Sequence, residues 1–262
     1  MNAIILAAGL GSRLKSYTAD RPKAMLEFSN QTLLNRLIKT FRNFGINDIT
    51  VVTGYKSEKI NIPNVNYIKN DFFLETSTLE SLICAKEKIT RSTIISYSDI
   101  IFEDSVLKKI IDAKNDISII ADRQWLEFWD KRIGESEMEA TESVYFNKEN
   151  VLLSIGQPIK NIEKANGHFI GLMKIQDDGS RVFLDFAEKQ IREHKKSLEI
   201  NPKLNLNKLR IVDVFQNMIN SGEKIEAVLI DNGWLEFDTT MDLELYNKMN
   251  DEGTLSQFIS LK

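Results

Sequence analysis

The sequence has one cysteine, two histidines and no run of apolar residues long enough to span a bilayer. A single thiol, Cys84, excludes an internal disulfide, and its place in the helical pattern TLESLICAKEKI predicts that it faces the core. Residues 3–8 are too short, and too closely followed by glycines, to serve as a signal peptide. Positive charge is not in excess: 34 Lys and Arg stand against 38 Asp and Glu, a net charge of −4. No global field is available to hold a nucleic-acid backbone, so any polyanion must be met by a local cluster of cations. Internal repeats, low-complexity segments and evident linkers are also missing. What remains, 262 residues with 42% hydrophobic composition, suffices for one large buried core. The expectation is a cytoplasmic, soluble enzyme or binding protein.

Short β-branched runs alternate with helical patterns through the first half. Strands are expected at residues 2–8, 48–54, 65–70, 92–98 and 116–122, with helices at 31–45, 75–89 and 104–115. In the first helix Leu33, Leu34, Leu37, Ile38, Phe41 and Phe44 recur at spacings of three and four, and Gly45 stops it. This alternation predicts an α/β fold, a Rossmann-like, mixed but mainly parallel sheet with helices on both faces. The second half is less regular. Strands are expected at 151–156, 168–175 and 224–231, and helices at 178–198 and 206–222; Thr239 or Thr240 caps a last helix. The whole chain, 1–262, reads as a single domain in which 123–175 is an inserted lid and acceptor-binding region.

The chain begins MNAIILAAGLGSRL, a buried strand that runs into Gly9, Gly11, Ser12 and Arg13, with Pro22 and Lys23 soon after. The glycines let the backbone turn tightly and let a ligand approach main-chain N–H groups. Those amides, with Arg13 and Lys23, make a positive pocket of polyphosphate size. Two other phosphate motifs do not fit: GxxxxGK[ST] needs a lysine beside a glycine here, and Leu14 stands where GxGxxG has its last glycine. Two acidic stretches complete the pattern. In SYSDIIF, Asp99 ends a buried strand, where an open α/β sheet places its ligands; in WLEFDTTMDLE, Glu236 and Asp238 are followed by a further aspartate. Mg²⁺ takes one or two carboxylates plus substrate phosphates, which suits Asp99 and Asp238 at strand ends on one rim of the sheet.

The arrangement LAAGLGSRL-x7-PKAM, with TSTLESL at 76–82 and the two acidic stretches, resembles the nucleotidyltransferase family that activates sugar phosphates and phosphocholine with a nucleoside triphosphate. Within it, the compact length and the segment ADRQWLEFWDKRIGESEMEATESV resemble the small CTP-dependent cytidylyltransferases of phosphocholine, aminoethylphosphonate and capsule-phosphoramidate type. The resemblance implies that Leu6, Ala7, Ala8, Gly9, Gly11 and Ser12 hold base and triphosphate. It implies further that Thr76, Ser77, Thr78, Ser81 and Ser98 belong to the nucleotide site, that Arg13 and Lys23 contact phosphates, and that Asp99 and Asp238 bind Mg²⁺.

The implied reaction is attack by a phosphate-type oxygen on the α-phosphorus of CTP, with pyrophosphate leaving. A phosphate nucleophile is already ionised near neutral pH and needs no general base, so His168 and His194 have no required chemical role. An acceptor carrying an amine or an amide fits the aromatic faces of Trp125, Trp129 and Trp234 and the carboxylates Asp122, Glu139 and Glu236. His168 either touches that acceptor or packs within its strand. The partners implied are CTP and a small molecule, with neither nucleic acid nor membrane, in the service of surface polysaccharide or capsule. Two alternatives stay open: a sugar-1-phosphate uridylyl- or thymidylyltransferase, and a non-catalytic nucleotide sensor.

Overall fold

The computed structural model describes residues 1–132, 142–156, 165–200 and 208–261. Four parallel strands lie side by side in the order β5 (Asn66–Lys69), β4 (Ile49–Thr53), β1 (Asn2–Ala7) and β6 (Ser92–Tyr97). Their near-continuous apolar sequences are what a strand covered on both faces requires. In β1, Ala3, Ile5 and Ala7 enter one core while Ile4 and Leu6 enter the other. A two-residue hairpin, β2 (Glu27–Phe28) with β3 (Gln31–Thr32), leads into α1 (Leu33–Asn43), whose cap Thr32 accepts a hydrogen bond from Asn35 N–H at 3.3 Å.

The first core is shared by α1, α3 (Asp104–Asp112) and α7 (Thr240–Asp251), the second by α2 (Thr78–Cys84), α5 (Asp178–Ile200) and α6 (Ile211–Asn220). Helices thus cover both faces. The irregular half of the sequence becomes antiparallel structure. β11 (Gly167–Gln176) runs against β6 on one side and β8 (Ile117–Asp122) on the other, and β12 (Glu226–Ile230) extends β8 in parallel. The hairpin β9 (Ser143–Phe146) and β10 (Leu152–Ile155) joins at the start of β11. Among the described residues the sheet has nine strands. It is a mixed α/β sheet, largely parallel in its N-terminal half.

Three expectations need correction. The helical pattern at 75–89 ends at Cys84 and passes into a tight turn at Lys86–Lys88. Leu79, Leu82 and Ala85 take the buried face, which turns Cys84 outward, and the thiol is exposed. Secondly, the strand before Asp238, β13 (Trp234–Glu236), does not join the central sheet. It pairs antiparallel with β7 (Ile100–Phe102) in a separate two-stranded ribbon. Thirdly, within the 123–175 insertion, residues 167–175 form the middle of the sheet as β11, and α4 (Trp125–Arg132) packs its Trp125, Phe128 and Trp129 inward. No helix among the described residues is long and apolar enough to cross a membrane.

Candidate active site

The carboxyl end of β1 opens on a cleft of about 710 Å³, within the range of small-molecule sites. Its floor is the chain from Leu6 to Arg13. Gly11 has φ +64°, a left-handed conformation, and caps the turn at Ser12–Thr18. A Cβ there would stand 3.0 Å from Lys23 Cβ and 3.1 Å from Thr18 Cγ2. Only glycine gives both the turn and the close approach of Lys23.

Pro22, extended at φ −70°, starts the short turn Lys23–Met25 and sends the lysine side chain across the floor. Lys23 Nζ donates to Asp99 Oδ2 at 2.6 Å and to Asp238 Oδ1 at 2.8 Å, and Arg13 Nη2 meets the other Asp238 oxygen at 2.6 Å. The two aspartates meet because Phe237 N–H donates to the carbonyl of Asp99 at 2.8 Å, stitching the ribbon to the end of β6. Burial opposes a charge on Lys23, but Asp99 and then Asp238 outweigh it and hold the ammonium above the ordinary lysine range. Asp238 shows the converse: burial would raise its carboxyl, and Lys23, with Arg13 behind it, holds it low. Lys23 is only 12% exposed. It is therefore an integral part of the floor, held between two carboxylates.

Behind Asp238 stands a second charged group. Asp242 accepts from the N–H groups of Asp238 and Thr239, both at 2.8 Å, and its own N–H donates to Thr239 Oγ1 at 3.2 Å. Arg132 grips Asp242 from the other side, with Nε at 2.9 Å and Nη2 at 3.1 Å, while its Nη1 donates to Glu236 at 2.8 Å. Both Arg132 and Asp242 are buried. A carboxylate bound by two backbone amides and a bidentate guanidinium is a rigid anchor, and it fixes the backbone that carries Asp238.

All of the residues assigned to the nucleotide from sequence border this cleft: Leu6, Ala7, Ala8, Gly9, Gly11, Ser12, Thr76, Ser77, Thr78, Ser81 and Ser98. Arg13, Lys23, Asp99, Asp238, Glu236, Trp129 and His168 do so too. Trp125, Trp234 and Asp122 do not line it. Trp234 Nε1 donates to Asp122 Oδ2 at 2.8 Å, and the N–H groups of Gln124 and Asn232 bind the other oxygen at 2.9 and 3.1 Å. Asp122, Trp125 and Trp234 are at most 1% exposed. Their placement as acceptor contacts gives way to packing: the polar edge of Trp234 satisfies a buried carboxylate instead of facing a ligand. Glu139 lies outside the described residues.

His168 lies among three indoles, with ring centroids 5.8 Å from Trp125, 4.6 Å from Trp129 and 5.7 Å from Trp234. Burial, reinforced by Arg132, lowers its pKa to about 3 and keeps it neutral. The cleft wall also holds residues to which the sequence reading gave no role: Arg132, Glu142, Lys208 and Asp242. Burial, and then Glu236 nearby, raise Glu142 to about 8. Of these only Asp242 had a local signal, as the third helical residue after the cap Thr239. Gly171 on β11, at φ +82°, faces the ring of Tyr97; a Cβ there would lie 2.5 Å from Tyr97 Cδ2.

The donor set fits Mg²⁺. Two carboxylates from separate elements share the floor, and Asp99 Oδ1 is buried with no hydrogen-bond partner among the described residues. Such hard oxygens, with substrate phosphates, suit a magnesium ion, which neutralises phosphate charge when bound.

Residues 3–150 match the model of the MobA-like NTP transferase domain, which is more than half of the chain. The chain is 29% identical over 256 residues to a CTP:phosphoglutamine cytidylyltransferase of Campylobacter jejuni, covering 94% of this chain and 98% of that one. It is 33% identical over 108 residues to a choline-phosphate cytidylyltransferase of Streptococcus pneumoniae, covering 40% and 47% of the two chains. A solved structure of the CTP:phosphocholine cytidylyltransferase from Streptococcus pneumoniae superposes with a TM-score of 0.66 over 96% of this chain and 98% of that one, at 18% identity. That likeness concerns the fold.

Proposed function

The chain belongs to the MobA-like NTP transferase family, and on that premise we propose that it transfers CMP from CTP to a small phosphorylated, phosphonate or amino-acid-amide acceptor and releases pyrophosphate. The observation that carries the reading is the bridge of Lys23 between Asp99 and Asp238, with Arg13 beside it, at the mouth of the glycine turn. It sets cations and carboxylates where a triphosphate lying over residues 8–13 would be cut. The phosphoglutamine and choline-phosphate relatives support CTP as the donor and an acceptor that carries both an anionic group and an amine or amide.

In this mechanism an acceptor oxygen forms a bond to the α-phosphorus as the bond to the bridging oxygen of the β-phosphate breaks, and the electron pair leaves on pyrophosphate. Lys23 and Arg13 offset the negative charge on the phosphates. Main-chain N–H groups of the turn orient the chain of phosphates, and Asp99 and Asp238 would hold Mg²⁺. Positioning and charge neutralisation account for most of such catalysis. The acceptor lies against Trp129, Glu142, His168 and Glu236, which border the same cleft. Arg132 already covers the Trp129 ring at 4.7 Å and pairs with Glu236 at 2.8 Å, so this wall meets the anionic end of the acceptor as much as its amine or amide. The reading extends to a cytoplasmic enzyme that activates a headgroup for surface polysaccharide or capsule.

The test is pyrophosphate release with each of four nucleoside triphosphates against phosphocholine, a phosphorylated glutamine, aminoethylphosphonate and glucose-1-phosphate, with and without Mg²⁺. Turnover with CTP and an amine- or amide-bearing acceptor is expected. Turnover confined to UTP or dTTP with glucose-1-phosphate would replace the reading with sugar activation, and binding without turnover would make the protein a nucleotide sensor.

A further inference from the structure

The strand order β5–β4–β1–β6 separates the two ends of the cleft. Asp99 follows β6 on one side of β1, and the chain from Asn70 to Ser81 follows β5 on the other side. A nucleotide with its phosphates at Lys23 and Asp99 therefore directs its base toward Thr76 and Ser81, which border the cleft.

Both hydroxyls are governed by one buried amide. Asn70 is 2% exposed, and its N–H donates to the carbonyl of Thr53 at 2.8 Å, fixing it to the end of β4. Its Oδ1 accepts from Phe72 N–H at 3.0 Å. A backbone N–H can only donate, so the amide cannot be turned over, and Nδ2 must face the hydroxyls. It donates to Thr76 Oγ1 at 2.9 Å and to Ser81 Oγ at 3.0 Å. Thr76 in turn gives its hydrogen to the carbonyl of Phe72 at 2.8 Å. Thr76 thus has only a lone pair left for a ligand. Ser81 accepts from Asn70, and its hydrogen has no acceptor among the described residues, so it is left as a donor toward the cleft.

An acceptor beside a donor matches the cytosine edge, which offers an amino group at C4 and a lone pair at N3. Uracil presents the opposite polarity at both atoms, an oxygen at C4 and a hydrogen on N3. We infer that Asn70 is the positioning residue for base choice, holding Thr76 as an acceptor and Ser81 as a donor and thereby selecting cytosine over uracil. The inference rests on the proposed CTP reading. A site whose polar groups are preset rejects the wrong base because mismatched groups are left buried and unpaired.

The decisive substitution is Asn70→Asp. A carboxylate keeps the shape and still accepts from Phe72 N–H, but it has no hydrogen to give. Ser81 would then donate to it and turn a lone pair toward N3, while Thr76 still gives its hydrogen away and stays an acceptor. The polarity thus reverses at Ser81 alone, and only one of the two mismatches with uracil is relieved. The ratio of kcat/KM for CTP to that for UTP would be measured for the unaltered protein, Asn70→Asp, Ser81→Ala and Thr76→Val, with thermal melts to monitor folding. The expected result is a ratio that favours CTP in the unaltered protein and falls by about tenfold or more in Asn70→Asp, with UTP use rising in absolute terms. Ser81→Ala should lower the ratio through CTP alone. Thr76→Val, which removes the acceptor for the amino group, should likewise lower the ratio. An unaltered protein that favours CTP, with a ratio unchanged in all three folded variants, would overturn the inference and leave the CTP reading standing. An unaltered protein that does not favour CTP would overturn both.

Discussion

Trp234→Phe separates packing from ligand contact at the aromatic cluster. The substitution keeps a ring between Phe128, 5.6 Å away, and His168, 5.7 Å away, but deletes the indole N–H that donates to Asp122 at 2.8 Å. Asp122 is fully buried, and burial already raises its carboxyl above the ordinary range against the pull of Trp234 and the two backbone donors. Loss of a hydrogen bond to a charged group costs about 1.5–3 kcal/mol, and the smaller ring leaves a partial cavity worth up to about another 1 kcal/mol. The expected loss is therefore about 1.5–4 kcal/mol of folding stability, read as a shift in urea midpoint, with the KM of donor and acceptor unchanged. Asp122→Asn is the companion: one amide oxygen cannot serve three donors, so it should also destabilise. The double variant should cost less than the sum of the two singles, because both remove the same contact. A raised acceptor KM in Trp234→Phe at unchanged stability would refute this account and return Trp234 to the ligand site.

Other outcomes follow from the floor and its surroundings. Lys23→Ala should abolish most turnover and also lower stability by about 1–3 kcal/mol, since two partly buried carboxylates then face one another; Mg²⁺ should recover part of the melting temperature without recovering turnover. Equal melting of this variant and the parent in EDTA would contradict the bridge. Asp99→Asn and Asp238→Asn should each raise the Mg²⁺ concentration for half-maximal turnover by about tenfold, and an unshifted titration in both would move the metal elsewhere. His168 is neutral in the fold down to about pH 3 but protonates near pH 6.5 when unfolded. Its contribution is complete above pH 6.5 and is lost as pH falls toward 3, by about 1.4 kcal/mol per unit. Between pH 7 and pH 5 the parent should lose about 2 kcal/mol more than His168→Gln in urea unfolding. Parallel pH profiles would refute it.

The parallel half of the sheet was legible because β1, β4 and β6 are apolar on both faces and the intervening helices repeat at three and four residues. The glycine turn and the cations were legible as a local motif. Long-range pairing was not. Nothing in WLEFD says that β13 pairs with β7 rather than the central sheet, because a three-residue strand has no periodicity to read. Arg132 was missed for a similar reason: its partners Glu236 and Asp242 are more than a hundred residues away, and locally it ends an ordinary amphipathic helix. Trp125 and Trp234 were misplaced because an aromatic beside a carboxylate has the same composition whether it binds a ligand or packs around a buried Asp122. Cys84 was misplaced because Leu79, Leu82 and Ala85, and not the cysteine, fall on the buried face of α2.

The contact between Gly171 and Tyr97 has a consequence for how this chain can diverge. With 2.5 Å between the added carbon and the ring, no side chain fits at 171 while the tyrosine stands. The two positions are tied together, and a lineage must shrink residue 97 before it can enlarge residue 171, where φ +82° still strains any side chain and the backbone must shift as well. Any library that randomises both should return a larger residue at 171 only in clones that have lost the ring at 97. Since both positions border the cleft, that ordered pair of steps would also reshape its wall, giving descendants a route to new substrates that leaves Lys23, Asp99 and Asp238 untouched.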